Sequence, residues 1–243
     1  MSKPLPILFS WSGGKDSALA LSALLAQPDE WEVVGLLTSV SAEYRRVSHH
    51  GVRVEMLERQ AEAIGLTLDK LWLPTGSVPC TNAQYEALVG EKLAGYAARG
   101  VLHVGHGDIF LADLRAYREK NLAQLGMTGV FPIWQRDTHE LVESFVALGF
   151  RAILCCVEGA KLDGSFVGRE LDLSLLADLP AGIDPCGENG EYHSFVYDGP
   201  IFRWPVEFAT GVKVCRDNRH YIDLVACDAA PCAASAANVP PLY

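Results

Sequence analysis

The chain has 243 residues, enough for one large domain or two small ones with a sizeable buried core. Hydrophobic residues make up 49% and charged residues 21%, which excludes a disordered or fibrous chain and is ordinary for a soluble globular one. Its 30 acidic and 20 basic residues leave a net charge of −10, which argues against nucleic acid as a partner, because such binding draws on clustered Lys and Arg.

A short apolar strand is predicted over residues 6–11, followed directly by Gly13-Gly14. A helical pattern covers 17–25, with Leu19, Leu21, Leu24 and Leu25 apolar, and Gln27-Pro28-Asp29 ends it. The Val- and Leu-rich run 31–38 reads as a buried strand. Strand, glycine turn, helix and strand form a βαβ unit, which implies a parallel sheet with a right-handed crossover. A polar loop is expected over 39–51. A helix over 52–64 follows, with Val54, Leu57, Ala61 and Ile64 on one face and Gly65 as its stop. The spacing then predicts a strand over 68–73, a helix over 82–99 and a strand over 101–105 that runs into Gly107-Asp108.

The rhythm changes near residue 125. A helix is expected over 138–148, a strand over 150–157 and a helix over 169–179. Residues 182–199 are dense in Gly, Pro, Asp, Glu and Asn and read as loop. Short β-like runs follow at 212–215 and 221–225. The fold class is therefore α/β: a doubly wound, mostly parallel sheet with a smaller C-terminal α+β domain. The expected divisions are 1–125 for nucleotide binding, 126–228 for substrate binding and 229–243 as a flexible tail.

Seven cysteines, an odd number with no C-x-x-C pair, give neither a disulfide framework nor a structural zinc site. Cys155 and Cys156 sit in an apolar run and read as buried small hydrophobes. No basic segment followed by a long apolar stretch opens the chain, and no apolar run reaches the roughly 18 residues that span a membrane. The expectation is a cytoplasmic protein with no membrane partner.

The segment Ser12-Gly13-Gly14-Lys15-Asp16-Ser17 lies between the first strand and the first helix. The first turn of a helix leaves N–H groups without partners, and the helix dipole makes that end positive. Glycines let the backbone approach a ligand closely, Ser12 and Ser17 add hydroxyls, and Lys15 adds a cation. Together they read as a phosphate nest rather than a plain glycine turn. It is not the G-x-x-x-x-G-K-[ST] loop, because Phe9 stands where the first Gly belongs and Asp16 where Ser or Thr belongs. An Asp among phosphates repels them unless Mg²⁺ is present, so Asp16 points to metal-bound ATP.

The segment resembles the PP-loop of the N-type ATP pyrophosphatases, in the adenine nucleotide alpha hydrolase-like superfamily. The resemblance implies cleavage of ATP between the α and β phosphates, with AMP attached to a substrate oxygen. A second dense segment runs Asp184-Pro185-Cys186-Gly187-Glu188-Asn189-Gly190-Glu191-Tyr192-His193-Ser194. By itself it reads either as a charged surface turn or as a site loop on a rigid scaffold. It is similar to the signature of the diphthine–ammonia ligase family. Gly51-Val52-Arg53, Gly107-Asp108-Ile109, Arg115, Glu119, Pro132-Ile133-Trp134 and Gly149-Phe150-Arg151-Ala152 fall in the same order as that family's similar residues. The likeness covers roughly 5–205. Asn189 and His193 stand where the diphthamide-forming members favour Gly and Glu. That version resembles a bacterial branch for which a role in cobalamin salvage is proposed.

What the resemblance implies is an AMP- and pyrophosphate-forming amide ligase that adenylates a carboxylate and amidates it with ammonia. The same ATP chemistry in cobalamin salvage, tRNA thiolation and a non-catalytic adenine-nucleotide-binding protein are the competing readings. The cofactors are ATP and Mg²⁺, with Asp16 as metal ligand. The partners are ammonia and a carboxylate on a small molecule or a protein side chain, and a homodimer is left open. Ser12, Gly13, Gly14, Lys15, Asp16 and Ser17 are expected to hold the phosphates, and backbone near Leu37, Thr38 and Ser39 the adenine. Lys15, Asp16, Asp108, Glu188, Glu191 and His193 form the expected catalytic set, with His193 either a general base or a structural hydrogen-bonder. His50, Arg53, Gly107, Asp108 and Asn189 are expected on the substrate, although His50 and Arg53 also fit a solvated loop. Arg115 and Glu119, four apart, fit a helix-surface pair.

Overall fold

The alternation of apolar runs and helical stripes builds two sheets. The computed structural model describes residues 3–48, 50–74 and 80–227. Strands β1 (Leu5–Ser10), β2 (Trp31–Ser41), β3 (Leu68–Leu73), β4 (His103–Gly105) and β5 (Thr128–Val130) form a parallel sheet in the order β3-β2-β1-β4-β5. Ile7, Leu8 and Phe9 of β1 are fully buried, as a central strand covered on both faces requires. Helices α1 (Lys15–Leu25) and α2 (Val54–Ile64) contribute to the larger core cluster, with Leu21, Leu24, Leu57 and Ala61. Helices α3 (Asn82–Ala97) and α4 (Ala112–Ala123) contribute to a separate cluster of Leu8, Leu93, Tyr96, Val104 and Leu122. The strand order reverses between β1 and β4, so a crevice opens at their carboxyl ends.

The C-terminal part holds α5 (Thr138–Ala147), β6 (Arg151–Glu158), α6 (Leu173–Asp178), β7 (Tyr192–Asp198), β8 (Phe208–Arg216) and β9 (Arg219–Ala226). Its sheet is antiparallel, in the order β7-β6-β9-β8. This is the expected α/β architecture with a smaller C-terminal α+β unit. Phe195 and Leu224 of the second sheet share one core cluster with Ile7 of β1 and Leu21 of α1. Cys155 and Cys156 are buried in β6, and all the described cysteines are free. No helix among the described residues is long and apolar enough to cross a membrane.

Several elements differ from expectation. The stretch 182–199, read throughout as loop, contains β7, because Tyr192, Ser194, Phe195 and Val196 are buried against β6 and the turn-forming residues stop at Gly190. The helix expected over 169–179 is confined to Leu173–Asp178: Glu170 instead bridges Ile153, and the Asp172 carboxylate accepts the Leu175 N–H at 2.7 Å to start the helix later. β2 continues to Ser41, so Ser39 lies inside the strand with Thr38 rather than in the loop expected from residue 39. α4 carried no apolar period, only the Arg115 and Glu119 spacing, and β5 had no sequence signal: Leu122 alone is buried in α4, and β5 has three residues. The expected tail 229–243 lies outside the described residues.

Candidate active site

The turn from β1 into α1 needs Gly13, whose φ of +80° is left-handed; a Cβ there would also meet Gln60 Oε1 at 2.8 Å. Gln60 comes from the buried face of α2. Its Nε2 donates to the carbonyls of Gly13 and Val196 at 3.0 and 2.6 Å, and its Oε1 accepts the Trp11 indole N–H at 3.0 Å. The Val196 N–H also donates to the Gly13 carbonyl, at 2.9 Å. β7 is thereby fastened to the glycine loop.

α1 has no side-chain cap from Gly14. The Lys15 N–H instead donates to Ser194 Oγ, across 179 residues of sequence, at 3.1 Å. Ser17 Oγ donates to the Gly14 carbonyl at 2.8 Å, and Ser12 Oγ accepts the Gly14 N–H at 3.2 Å. By position, the N–H groups of Asp16 and Ser17 have no acceptor within their own helix. They form a positive end suited to an anion. Gly107, after β4, presses on this turn: a Cβ on it would lie 2.8 Å from the Asp16 carbonyl carbon and 2.9 Å from the Ser17 nitrogen.

Lys15 Nζ reaches Asp16 Oδ2 at 2.8 Å and lies 5.1 Å above the Tyr192 ring centre. Burial works against its charge, but Asp16, Tyr192 and Cys186 outweigh it, so its pKa sits above the ordinary lysine value. Asp16 Oδ1 is buried with no hydrogen-bond partner among the described residues. A bare carboxylate oxygen beside an anion-binding turn would suit a Mg²⁺ brought in with phosphate. Among the described residues no group of three or more His, Cys, Asp and Glu could hold a metal without such help.

A cleft joins this loop to the 186–194 segment, lined by Ser12, Lys15, Asp16, His50, Glu188 and His193 among others. The segment is shaped by Asp184, whose Oδ2 accepts the N–H groups of Cys186 and Glu188 at 3.1 and 2.9 Å. Glu188 Oε1 accepts the Ile109 N–H at 3.0 Å. Burial first, then the charge of Asp16, raises the Glu188 pKa to about 7. His193 and His50 face one another with ring centres 4.6 Å apart, and His50 Nδ1 lies 3.3 Å from the Ser194 carbonyl oxygen.

Other expected site residues are held beside the cleft. Asn189 donates to Glu191 Oε1 at 3.2 Å, and Glu191 is buried with Oε2 unpartnered among the described residues. Asp108 pairs with Arg118 at 2.8 Å. Arg53 makes a two-pronged bond to Asp223, at 3.0 and 2.6 Å, and is therefore turned to β9 rather than to the cleft. Leu37, Thr38 and Ser39 lie in β2, and the Leu37 carbonyl is taken by the Trp11 N–H at 2.8 Å. Arg115 and Glu119 do pair, at 2.8 Å, with Arg115 also between the rings of Phe131 and Trp134.

The sequence reading passed over Gln60, Asp184, Ser194 and Arg118. Gln60 was findable as a polar residue between Leu57 and Ile64 on a helix face otherwise apolar. Asp184 was findable as an Asp opening a Pro- and Gly-containing turn. Ser194 and Arg118 gave no local signal, since their partners are distant in sequence.

Known proteins resemble the chain along most of its length. The sequence model of the diphthamide synthase N-terminal domain matches residues 7–127, and that of the diphthamide synthase C-terminal domain matches 137–226. Rat diphthine–ammonia ligase is 27% identical over 227 residues, covering 84% of this chain and 82% of the relative. The mouse enzyme is 28% identical over 216 residues, and the human one 26% over 218, each covering 79% of this chain and 78% of its own. Both matched halves contribute to the cleft, the glycine loop from the first and residues 186–194 from the second, and the chain belongs to the diphthamide synthase family.

Proposed function

We propose that the chain is an ATP-dependent amide ligase that activates a carboxylate as an acyl-adenylate and transfers it to ammonia, releasing AMP and pyrophosphate. The observation that carries this reading is the pairing, across one cleft, of an anion-binding helix start with a carboxylate whose pKa is raised to about 7. A protein that only holds a nucleotide has no use for the second group. The names of the relatives, diphthine–ammonia ligases, support the same reaction class.

In this reading the N–H groups of Asp16 and Ser17, the hydroxyl of Ser12 and Lys15 Nζ hold the β and γ phosphates. Asp16 Oδ1 would hold a Mg²⁺, which would offset phosphate charge. A carboxylate oxygen of the acceptor bonds to the α-phosphorus while the bond from that phosphorus to the α–β bridging oxygen breaks. The pyrophosphate leaving group stays on the positive end of α1, where its charge is stabilised in place. Ammonia then adds to the acyl carbon, the carbon–oxygen bond to AMP breaks, and Glu188 takes the nitrogen's surplus proton. A base with a pKa near the working pH suits that transfer. His50 and His193 line the phosphate side of the cleft and orient the acceptor carboxylate.

The test supplies ATP labelled at the α and γ positions, with ammonium and a candidate carboxylate acceptor. The expected products are AMP and pyrophosphate in equal amounts with the amide. ADP with free phosphate, and no AMP, overturns the reading. Asp16→Ala is expected to lower turnover by at least about a hundredfold, in the range of lost transition-state charge stabilisation.

A further inference from the structure

Gln60 is a polar side chain on the apolar face of α2, between Leu57 and Ile64, and it is fully buried. Burying an amide costs free energy unless its hydrogen bonds are made. An apolar side chain would fill the same face without that demand. Gln60 meets the demand in full, since Oε1 and both hydrogens of Nε2 are engaged. Trp11 sets which end of the amide is which. An indole N–H only donates, so it takes Oε1 at 3.0 Å and leaves Nε2 to the carbonyls of Gly13 and Val196, at 3.0 and 2.6 Å.

The Gly13 carbonyl belongs to the peptide between Gly13 and Gly14. A peptide flanked by two glycines turns over at little steric cost, because neither residue resists a positive φ. Here Gly13 stands at +80° and Gly14 at −94°. The carbonyl oxygen accepts Gln60 Nε2 and the Val196 N–H, and neither of those residues lines the cleft, so the oxygen faces the interior. The Gly14 N–H, on the other side of the same peptide, points to Ser12 Oγ at the cleft. Turned over, the peptide would put its oxygen there, setting a partial negative charge where phosphates belong.

Resting on the ATP reading above, we propose that Gln60 is a positioning residue for the phosphates. From behind the loop it holds the Gly13–Gly14 peptide in the one orientation that leaves the cleft to an anion. Val196 completes the arrangement, giving its N–H to Gly13 and its carbonyl to Gln60. The loop is therefore set for phosphate only while β7 is docked against it.

Binding of magnesium pyrophosphate and of AMP is measured by calorimetry on the full chain and on Gln60→Leu. A loop that spends about a tenth of its time in the competent orientation binds about tenfold more weakly. Pyrophosphate affinity is accordingly expected to fall at least about tenfold, with AMP, which lacks the β and γ phosphates, held within about threefold of the parent. Equal pyrophosphate affinity in parent and variant overturns the proposal. So does an equal loss of both ligands, which marks general damage to the fold. A parent that binds neither ligand overturns the ATP reading, and this inference with it. Gln60→Glu supplies a second arm, which decides by itself should Gln60→Leu not fold. Its carboxylate has no hydrogen for the Gly13 carbonyl, whereas the protonated acid has one. Burial favours the protonated acid, and lowering the pH fills it. The ratio of its pyrophosphate affinity to the parent's is expected to be lowest at about pH 8 and to recover at least about threefold by about pH 6. Pyrophosphate and the titrating groups of the cleft, Glu188 among them, are common to both proteins and cancel in that ratio. A ratio indifferent to pH overturns the role of the Gln60 donor.

Discussion

Among the described residues Glu188 accepts one hydrogen bond, from the Ile109 N–H at 3.0 Å. Burial, Asp16 and Asp108 all favour its neutral form, and its pKa rises from 4.5 to about 7. A group that holds its proton more tightly when folded destabilises the folded state once it must ionise. That cost is absent below about pH 4.5, grows as pH rises and is complete above about pH 7. Glu188→Gln keeps the acceptor for Ile109 and removes the charge. Its melting temperature is therefore expected to exceed the parent's at pH 8, with the gap shrinking toward pH 5. Thermal scans of both proteins at the two pH values check this. In turnover the same residue has the opposite consequence. Activity of the parent should rise with pH through about 7 as the base is uncovered, and Glu188→Gln should lose that limb. Gly107 makes a second prediction at this scale. A methyl group at 2.8 Å from the Asp16 carbonyl carbon cannot be housed without moving the loop. Gly107→Ala is expected to weaken ATP binding by about tenfold or more while circular dichroism stays unchanged.

At the scale of elements, β7 does for α1 what a capping residue ordinarily does. Ser194 Oγ accepts the Lys15 N–H, so a strand of the second sheet completes the first turn of a helix in the first. Ser194→Ala should cost about 0.5–2 kcal/mol, the range for a lost N-cap, measured by urea unfolding. ATP affinity should fall with it, because the anion-binding turn loses its anchor. This tie explains what was legible in the sequence and what was not. β1, α1, α2 and β3 were readable because each buries one continuous stripe or run, and the phosphate loop because its residues are adjacent. β7 was hidden behind the polar turn that precedes it, with its first residues, Tyr192 and His193, read as part of a site loop. α4 was hidden because a helix that buries little carries no apolar period. Arg53 was expected either on the substrate or in a solvated loop. It grips Asp223 instead, a carboxylate of the protein itself, which lies 170 residues away and left no trace in local sequence.

At the scale of the molecule, the two matched halves do not have separate interiors. Asp223 on β9 is fully buried, bonded to Arg46 at 2.9 Å and to Arg53 at 3.0 and 2.6 Å, both from the segment between β2 and α2. Burial alone would raise its pKa, but the hydrogen bond from Arg53 and the charge of Arg46 more than offset that, and the net shift is downward. A carboxyl whose folded pKa is depressed contributes stability above its unfolded pKa and loses it as pH falls through the folded value. Removing it takes from Arg46, itself fully buried, the carboxylate it bonds at 2.9 Å. Asp223→Ala is therefore expected to destabilise the protein by about 3–5 kcal/mol, a large part of the margin of an ordinary domain. The same reasoning extends to cutting the chain. Residues 1–127 alone would expose the faces of α1 and α2 that share a core with Phe195 and Leu224, and would take Asp223 from both arginines and the Val196 carbonyl from Gln60. That fragment is expected to show no cooperative melting transition and no ATP binding, whereas mixing it with a 128–243 fragment should restore both if the halves reassemble. A 1–127 fragment that melts cooperatively and binds ATP by calorimetry would show that the phosphate loop needs no support from the second sheet.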